Sequence, residues 1–245
     1  MLIALAAGAV VGLALGALGG GGSVLAVPVL IYLLGFTPTA AATASLLIVL
    51  ATSATALHGH ARDGNVRWRT GALFAAAGLV PAAVGGLLAA RLPETLLTAG
   101  FAAVAGIAAV RMLRPTAPAE GVRRSGPAVA GAGAGLGAVT GVLGVGGGFL
   151  TVPALVQVVG LRMRQAVGTS LLVVAANALV ALLARSGTAE PLDWAVVAPF
   201  AGAAILGAWD GRRLASKVSG NTLRRIFGAV LLAAAALMLL DATVL

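Results

Sequence analysis

Long apolar stretches carrying almost no charge alternate with short polar connections along the chain, and that alternation predicts membrane-spanning helices. Six of them, approximately Pro38–Leu57, Thr70–Ala90, Glu94–Leu113, Gln165–Ala184, Trp194–Trp209 and Asn221–Leu240, hold about 16 to 21 residues each. That is close to the roughly 20 a helix needs to cross a bilayer core. Two further apolar regions, Leu2–Gly35 and Pro127–Gly160, are too long for one ordinary crossing and are rich in glycine. The expected fold class is all-α, a polytopic helical membrane protein with about eight apolar segments.

The two glycine-rich regions are copies of each other. Gly16 to Leu30 reads GALGGGGSVLAVPVL and Gly141 to Leu155 reads GVLGVGGGFLTVPAL. The ungapped match continues to a shared Ser-Leu-Leu beginning at Ser45 and Ser170, with 14 identities in 32 positions. Glycine-interrupted apolar segments repeated in the two halves of a membrane chain are the signature of broken helices facing one another at a transport site. The expected organisation is a first repeat over residues 1–113, a cytoplasmic linker over 114–126 and a second, inverted repeat over 127–245. Each repeat would be a glycine-broken hairpin followed by three transmembrane helices.

Composition and charge sharpen this picture. With 60% hydrophobic and 9% charged residues, the chain has too little polar surface to cover a soluble particle. A net charge of +9 would suggest nucleic acid in a soluble protein, but here the basic residues sit in the connections and orient the chain. Arg62, Arg67, Arg69, Arg111, Arg114, Arg123, Arg124, Arg162, Arg164, Arg212, Arg213, Lys217, Arg224 and Arg225 can all face the cytoplasm, leaving Arg91 and Arg185 outside. Eight simple crossings would instead split the basic residues evenly. The asymmetry returns only if each glycine region leaves and re-enters on one side. Three full crossings per half then invert the second half relative to the first and place both termini outside the cytoplasm. The loops near Trp68, with its arginines, and near Trp194, with Glu190 and Asp193, carry opposite charge as inverted repeats should. Arginine used almost to the exclusion of lysine, with abundant alanine and glycine, fits a GC-rich bacterial coding bias and a bacterial plasma membrane. Cysteine is absent. Leu2–Leu18 has no basic residue before its apolar run and a counterpart mid-chain, so it reads as mature structure rather than a signal peptide.

Irregular backbone at membrane depth must find hydrogen-bond partners, so it is tolerated only inside protein or around a cavity. After Gly20, Gly21 and Gly22 a helix is expected to resume at Ser23 and Val24, and after Gly146, Gly147 and Gly148 at Phe149. The first turn of such a helix offers unpaired N–H groups and the positive end of its dipole, and flanking glycines let an anion approach them. Spaced pairs such as Gly8 and Gly12 read instead as helix-packing contacts. Pro28 and Pro153, downstream of the two runs, read as structural.

Side-chain support would come from Ser45, Thr169, Ser170 and Asn177. The duplication puts both serines beside a break, and a buried amide at Asn177 can donate and accept. Ser and Thr in membrane helices otherwise bond back to their own carbonyls. Asp210 reads as an interfacial ion-pair partner of Arg212 and Arg213. His58 and His60 read as a hydrated cytoplasmic loop, and Trp68 and Trp194 as belt residues. No metal, cofactor or catalytic residue is expected, and no nucleic acid; the expected partners are a small anionic substrate and the lipid bilayer, with homo-oligomerisation left open.

The glycine run with its downstream proline, its recurrence as GVGGGFLTVPAL, the following GTSLL and the length together resemble the sulfite exporter TauE/SafE family of bacterial membrane permeases, over essentially the whole chain. The resemblance implies a transporter exporting sulfite, sulfoacetate and related sulfur-containing or organic anions. One departure is that Ser23 has no hydroxyl counterpart, since Gly148 stands at its equivalent position. The competing readings are an intramembrane serine protease using Ser23, weakened by the lack of a histidine in any expected span, and a non-transporting membrane scaffold.

Overall fold

A computed structural model describes residues 2–19, 26–27, 29–89, 93–114, 125–142, 148–185 and 192–244. These residues form helices and contain no strand. In chain order they are α1 (Leu2–Leu18), a single π-helical turn α2 (Val29–Leu33), α3 (Pro38–Arg62), α4 (Trp68–Ala89), α5 (Glu94–Leu113), α6 (Gly126–Val142), α7 (Gly148–Gln157), α8 (Met163–Arg185), α9 (Trp194–Lys217) and α10 (Gly220–Val244). The polytopic all-α architecture expected from the hydropathy pattern is therefore present. By length and composition, 39–62, 163–184 and 194–217 can each cross a bilayer, and α4, α5 and α10 have comparable lengths of 22, 20 and 25 residues.

Local signals set the helix ends. Thr37 caps α3, its hydroxyl accepting from the Ala40 N–H with Pro38 in the first turn, and the Asp193 carboxylate accepts from the Ala195 N–H at the start of α9. The short helices of the two halves stop in the same way. Phe36 N–H reaches Leu30 O at 3.0 Å and Leu161 N–H reaches Leu155 O at 2.9 Å, each closing over a left-handed glycine, Gly35 at φ 72° and Gly160 at φ 83°. Both glycines occupy equivalent positions of the duplication.

Two helices run longer than the hydropathy pattern indicated. α3 continues past Leu57 to Arg62, and α9 continues past Trp209 to Lys217. Apolar content falls where the helix leaves the hydrocarbon, but hydrogen bonding carries it onward. An ion pair between Arg212 and Asp63, at 2.7 Å, ties the two extensions together. His60 consequently lies inside α3 with 5% of its surface exposed, not in a hydrated loop.

The halves pack by exchange. Gly8, Gly12 and Gly16 of α1 abut the main chain of Phe200, Ala204 and Ala208 in α9. In the same register Gly133, Gly137 and Gly141 of α6 abut Phe74, Gly78 and Ala82 in α4. At each of these positions a Cβ would collide with backbone, so the glycines permit the close approach on which membrane helices rely for association. Residue numbers rise together along both seams, so α1 runs parallel to α9 and α6 parallel to α4. Gly168 near the start of α8 meets His60 near the end of α3, so these two central helices run in opposite directions.

Arginines mark one end of this bundle. Arg164 donates to Ser216 O and Val218 O at the end of α9, while Arg224, at the start of α10, donates to Met112 O, Arg111 O and Arg114 O at the end of α5. Together with Asp63–Arg212 these bonds bring the ends of α3, α5 and α9 and the starts of α4, α8 and α10 to the same side. α1 and α3 both run towards this basic end, so the chain between them turns back; α6 and α8 both run away from it.

Candidate substrate site at the glycine breaks

Of the expected backbone donors, Gly20, Gly21, Gly22, Ser23, Val24, Gly146 and Gly147 lie outside the described residues, as does Pro28. The described chain beside them is placed as follows. α1 ends beside the carboxy-terminal part of α9, towards the basic end, and α6 ends beside the carboxy-terminal part of α4, towards the opposite end. Gly148 and Phe149 open α7, a ten-residue helix whose first six residues, through Pro153, are all buried. Its amino terminus is thus presented inside protein, where the N–H groups of a first turn need partners other than water.

Ser170 belongs to this region from the other side. Gly19, at φ 72°, is placed so that a Cβ would lie 2.5 Å from Ser170 Oγ, 3.1 Å from Val167 O and 3.4 Å from Val152 of α7. The second half's serine and short helix thus meet the end of α1 in the first half.

The hydroxyls are not poised equally. Ser170 Oγ donates to Val167 O and Ser45 Oγ donates to Ala42 O, both at 2.8 Å and at equivalent positions. Each serine spends its one proton on its own helix, so what it presents to a neighbour is an acceptor unless the hydroxyl rotates. Thr43, Thr52 and Thr55 bond back in the same manner. Thr169 acts differently, because its Oγ1 accepts the Arg67 N–H at 3.1 Å and pins the α3–α4 loop to α8.

Asn177 lies apart from Ser170 and Gly19, on a small cavity of about 20 Å³ shared with Thr140, Thr151, Val173, Gly137 and Gly78. That volume holds about one water molecule. The positions equivalent to Thr140, Thr151 and Asn177 in the first half are Leu15, Ala26 and Thr52. Two of these three polar positions are therefore apolar in the first half.

Two buried polar groups outside the expected set stand out. Ser53 Oγ and both ring nitrogens of His60 have no hydrogen-bond partner among the described residues. The sequence signal for His60 was hidden, because apolar content ends at Leu57 and the helix does not. Asp210, by contrast, lies exposed on an outer groove with Leu5, Val10, Leu13 and Leu206, and Arg212 and Arg213 lie 5.9 and 5.7 Å from the Trp209 ring. Arg212 pairs with Asp63 rather than Asp210. Among the described residues no group of three or more metal-ligating side chains occurs.

Comparison with known proteins follows the same lines. A family model described as Sulfite exporter TauE/SafE matches residues 4–238. Two proteins of Xylella fastidiosa, each described as a probable membrane transporter protein, are similar to the chain. The one from strain 9a5c is 33% identical over 244 residues, covering 96% of this chain and 93% of its own. The one from strain Temecula1 is 32% identical with the same coverage. No solved structure matches the chain.

Proposed function

We propose, for a chain that belongs to the sulfite exporter TauE/SafE family and is therefore a membrane transporter and not an enzyme, that it exports small anions such as sulfite, sulfonates or related organic anions. The two halves act as inverted repeats and expose the site alternately to either side of the membrane. The substrate is held by main-chain N–H groups around Gly20, Gly21, Gly22, Ser23 and Val24 from one half and Gly146, Gly147, Gly148 and Phe149 from the other. Ser45, Thr169, Ser170 and Asn177 support the site, Thr169 by holding the α3–α4 loop and Asn177 from the neighbouring cavity it shares with Thr140 and Thr151.

The observation that carries this reading is the seating of Gly19 against Ser170 and Val152, which brings the end of α1 onto α7 and α8 of the other half. The matched glycine seams of α1 with α9 and α6 with α4 support two pseudo-equivalent units that share partners, and the opposed directions of α3 and α8 support their inversion. The basic end faces the cytoplasm of a bacterial plasma membrane, with both termini on the other side. A cytoplasm-negative potential of about 100 mV then favours outward movement of each negative charge by about 2.3 kcal/mol.

The test is a flux screen in proteoliposomes over sulfite, sulfonates and carboxylates under an imposed potential. Outward-directed flux of one of these anions is expected. Absence of flux for every small oxyanion would refute the proposal.

A further inference from the structure

His60 sits where an ionisable group costs most and is compensated least. It is buried in α3, and neither ring nitrogen has a hydrogen-bond partner among the described residues; the Gly16 backbone approaches it from α1, two residues before that helix ends at Leu18, outside hydrogen-bond geometry. Ser53, two turns earlier on the same face, is fully buried, and its hydroxyl too lacks a partner among the described residues. Between them Ala56 packs in one cluster with Leu171 of α8 and Ala208 of α9.

The charges around this face are few. α1 contributes no titratable residue, α2 only the exposed Tyr32, and α8 Arg164 near the basic end, engaged with α9 carbonyls, with Arg185 at its far end. α9 contributes Arg212, which is already paired with Asp63. Asp63 is committed to Arg212, and the one other carboxylate of these elements among the described residues, Asp210 of α9, faces an outer groove with Leu5 and Leu206. A buried polar group without a partner costs free energy, and an unpaired buried charge costs several times more. In the closed packing His60 can therefore be tolerated as a neutral ring, but as an imidazolium only if an anion accompanies it.

We propose that His60 is a proton-binding site linked to the anion site at the first glycine break, so that substrate and proton enter the occluded state together. This rests on the anion-permease reading and adds to it the coupled ion and the residue that holds it. When the seam between α1, α3 and α8 opens at the basic end, water and protons reach the ring. The seam can close again around His60 with both anion and proton or with neither.

The experiment uses the full-length protein in detergent and methanesulfonate, an anion that stays ionised from pH 5.5 to 8. Binding should weaken about tenfold per pH unit above the imidazole pKa, the slope for uptake of one proton. Calorimetry in two sulfonate-free buffers of different ionisation enthalpy should register that proton directly. His60→Gln should bind with a flat pH profile and no proton uptake, while His58→Gln, at an exposed position, should keep both. Since the chain holds two histidines, ring-labelled wild-type protein gives a readout that needs no variant: one imidazole signal should shift towards the protonated form when methanesulfonate is added. Binding without proton uptake, or uptake that survives in His60→Gln, would overturn the inference and leave the permease reading standing. No binding of methanesulfonate, sulfite, other sulfonates or carboxylates at any pH would overturn both.

Discussion

Gly19, the last described residue before the first break, lies against Ser170 of the opposite half, with its backbone in the left-handed region at φ 72°. Two constraints meet there. Any β-carbon adopts that conformation at a cost of about 1–2 kcal/mol, and here it would also press on the serine hydroxyl. Gly19→Ala should therefore lower thermal stability and reduce transport in parallel. Gly19→Ala combined with Ser170→Ala should recover part of the packing loss but not the conformational cost. Transport and melting temperature unchanged in Gly19→Ala would contradict this placement.

Gly35 isolates the conformational effect. Its φ is also 72°, but nothing lies within 4 Å of where its β-carbon would be. Gly35→Ala should cost about 1 kcal/mol and Gly35→Asn less, since asparagine tolerates the left-handed region. Denaturation midpoints of the two variants check the order.

The exchanged glycine seams predict symmetric damage. Gly12→Leu and Gly137→Leu occupy equivalent positions against Ala204 and Gly78. Each should destabilise the fold by about 3 kcal/mol or prevent its assembly, because the obstacle is backbone and cannot rotate away. Gly131→Leu, on an exposed position of α6 with open space around it, should change little. A large effect in only one of the two seam variants would argue against equivalent roles for the two halves.

Thr169 braces the α3–α4 loop through its hydroxyl. Thr169→Val keeps the shape but leaves the Arg67 N–H without its acceptor, which should cost about 1–3 kcal/mol. The Arg212–Asp63 pair is different: Asp63 is 43% exposed, so a double-mutant cycle across it should return less than about 1 kcal/mol. Chemical denaturation of the four variants separates these cases.

Much of this arrangement was legible in the chain. The limits of α5 were anticipated to the residue at Glu94 and Leu113, because the polar connections on both sides are abrupt. The basic cluster from Arg62 to Arg225 appeared in sequence as loops and in space as one end of the bundle. Other features were hidden for physical reasons. Hydropathy measures where lipid ends, not where hydrogen bonding ends, so α3 and α9 were drawn short and His60 was placed in water. Side-chain type shows that Ser45 and Ser170 can donate, but not that both already donate to Ala42 and Val167. Nor could the duplication indicate that Ser170 lies against Gly19 of the other half, since exchange of partners is a property of packing.

The claim that the glycine runs hold the substrate has one direct test: anion flux through proteoliposomes containing Gly21→Leu or Gly147→Leu, with Gly131→Leu as the folded control. The account predicts that flux of the transported anion is lost in both variants while the control retains it and all three remain monodisperse. Flux through either variant at the control's rate would contradict it.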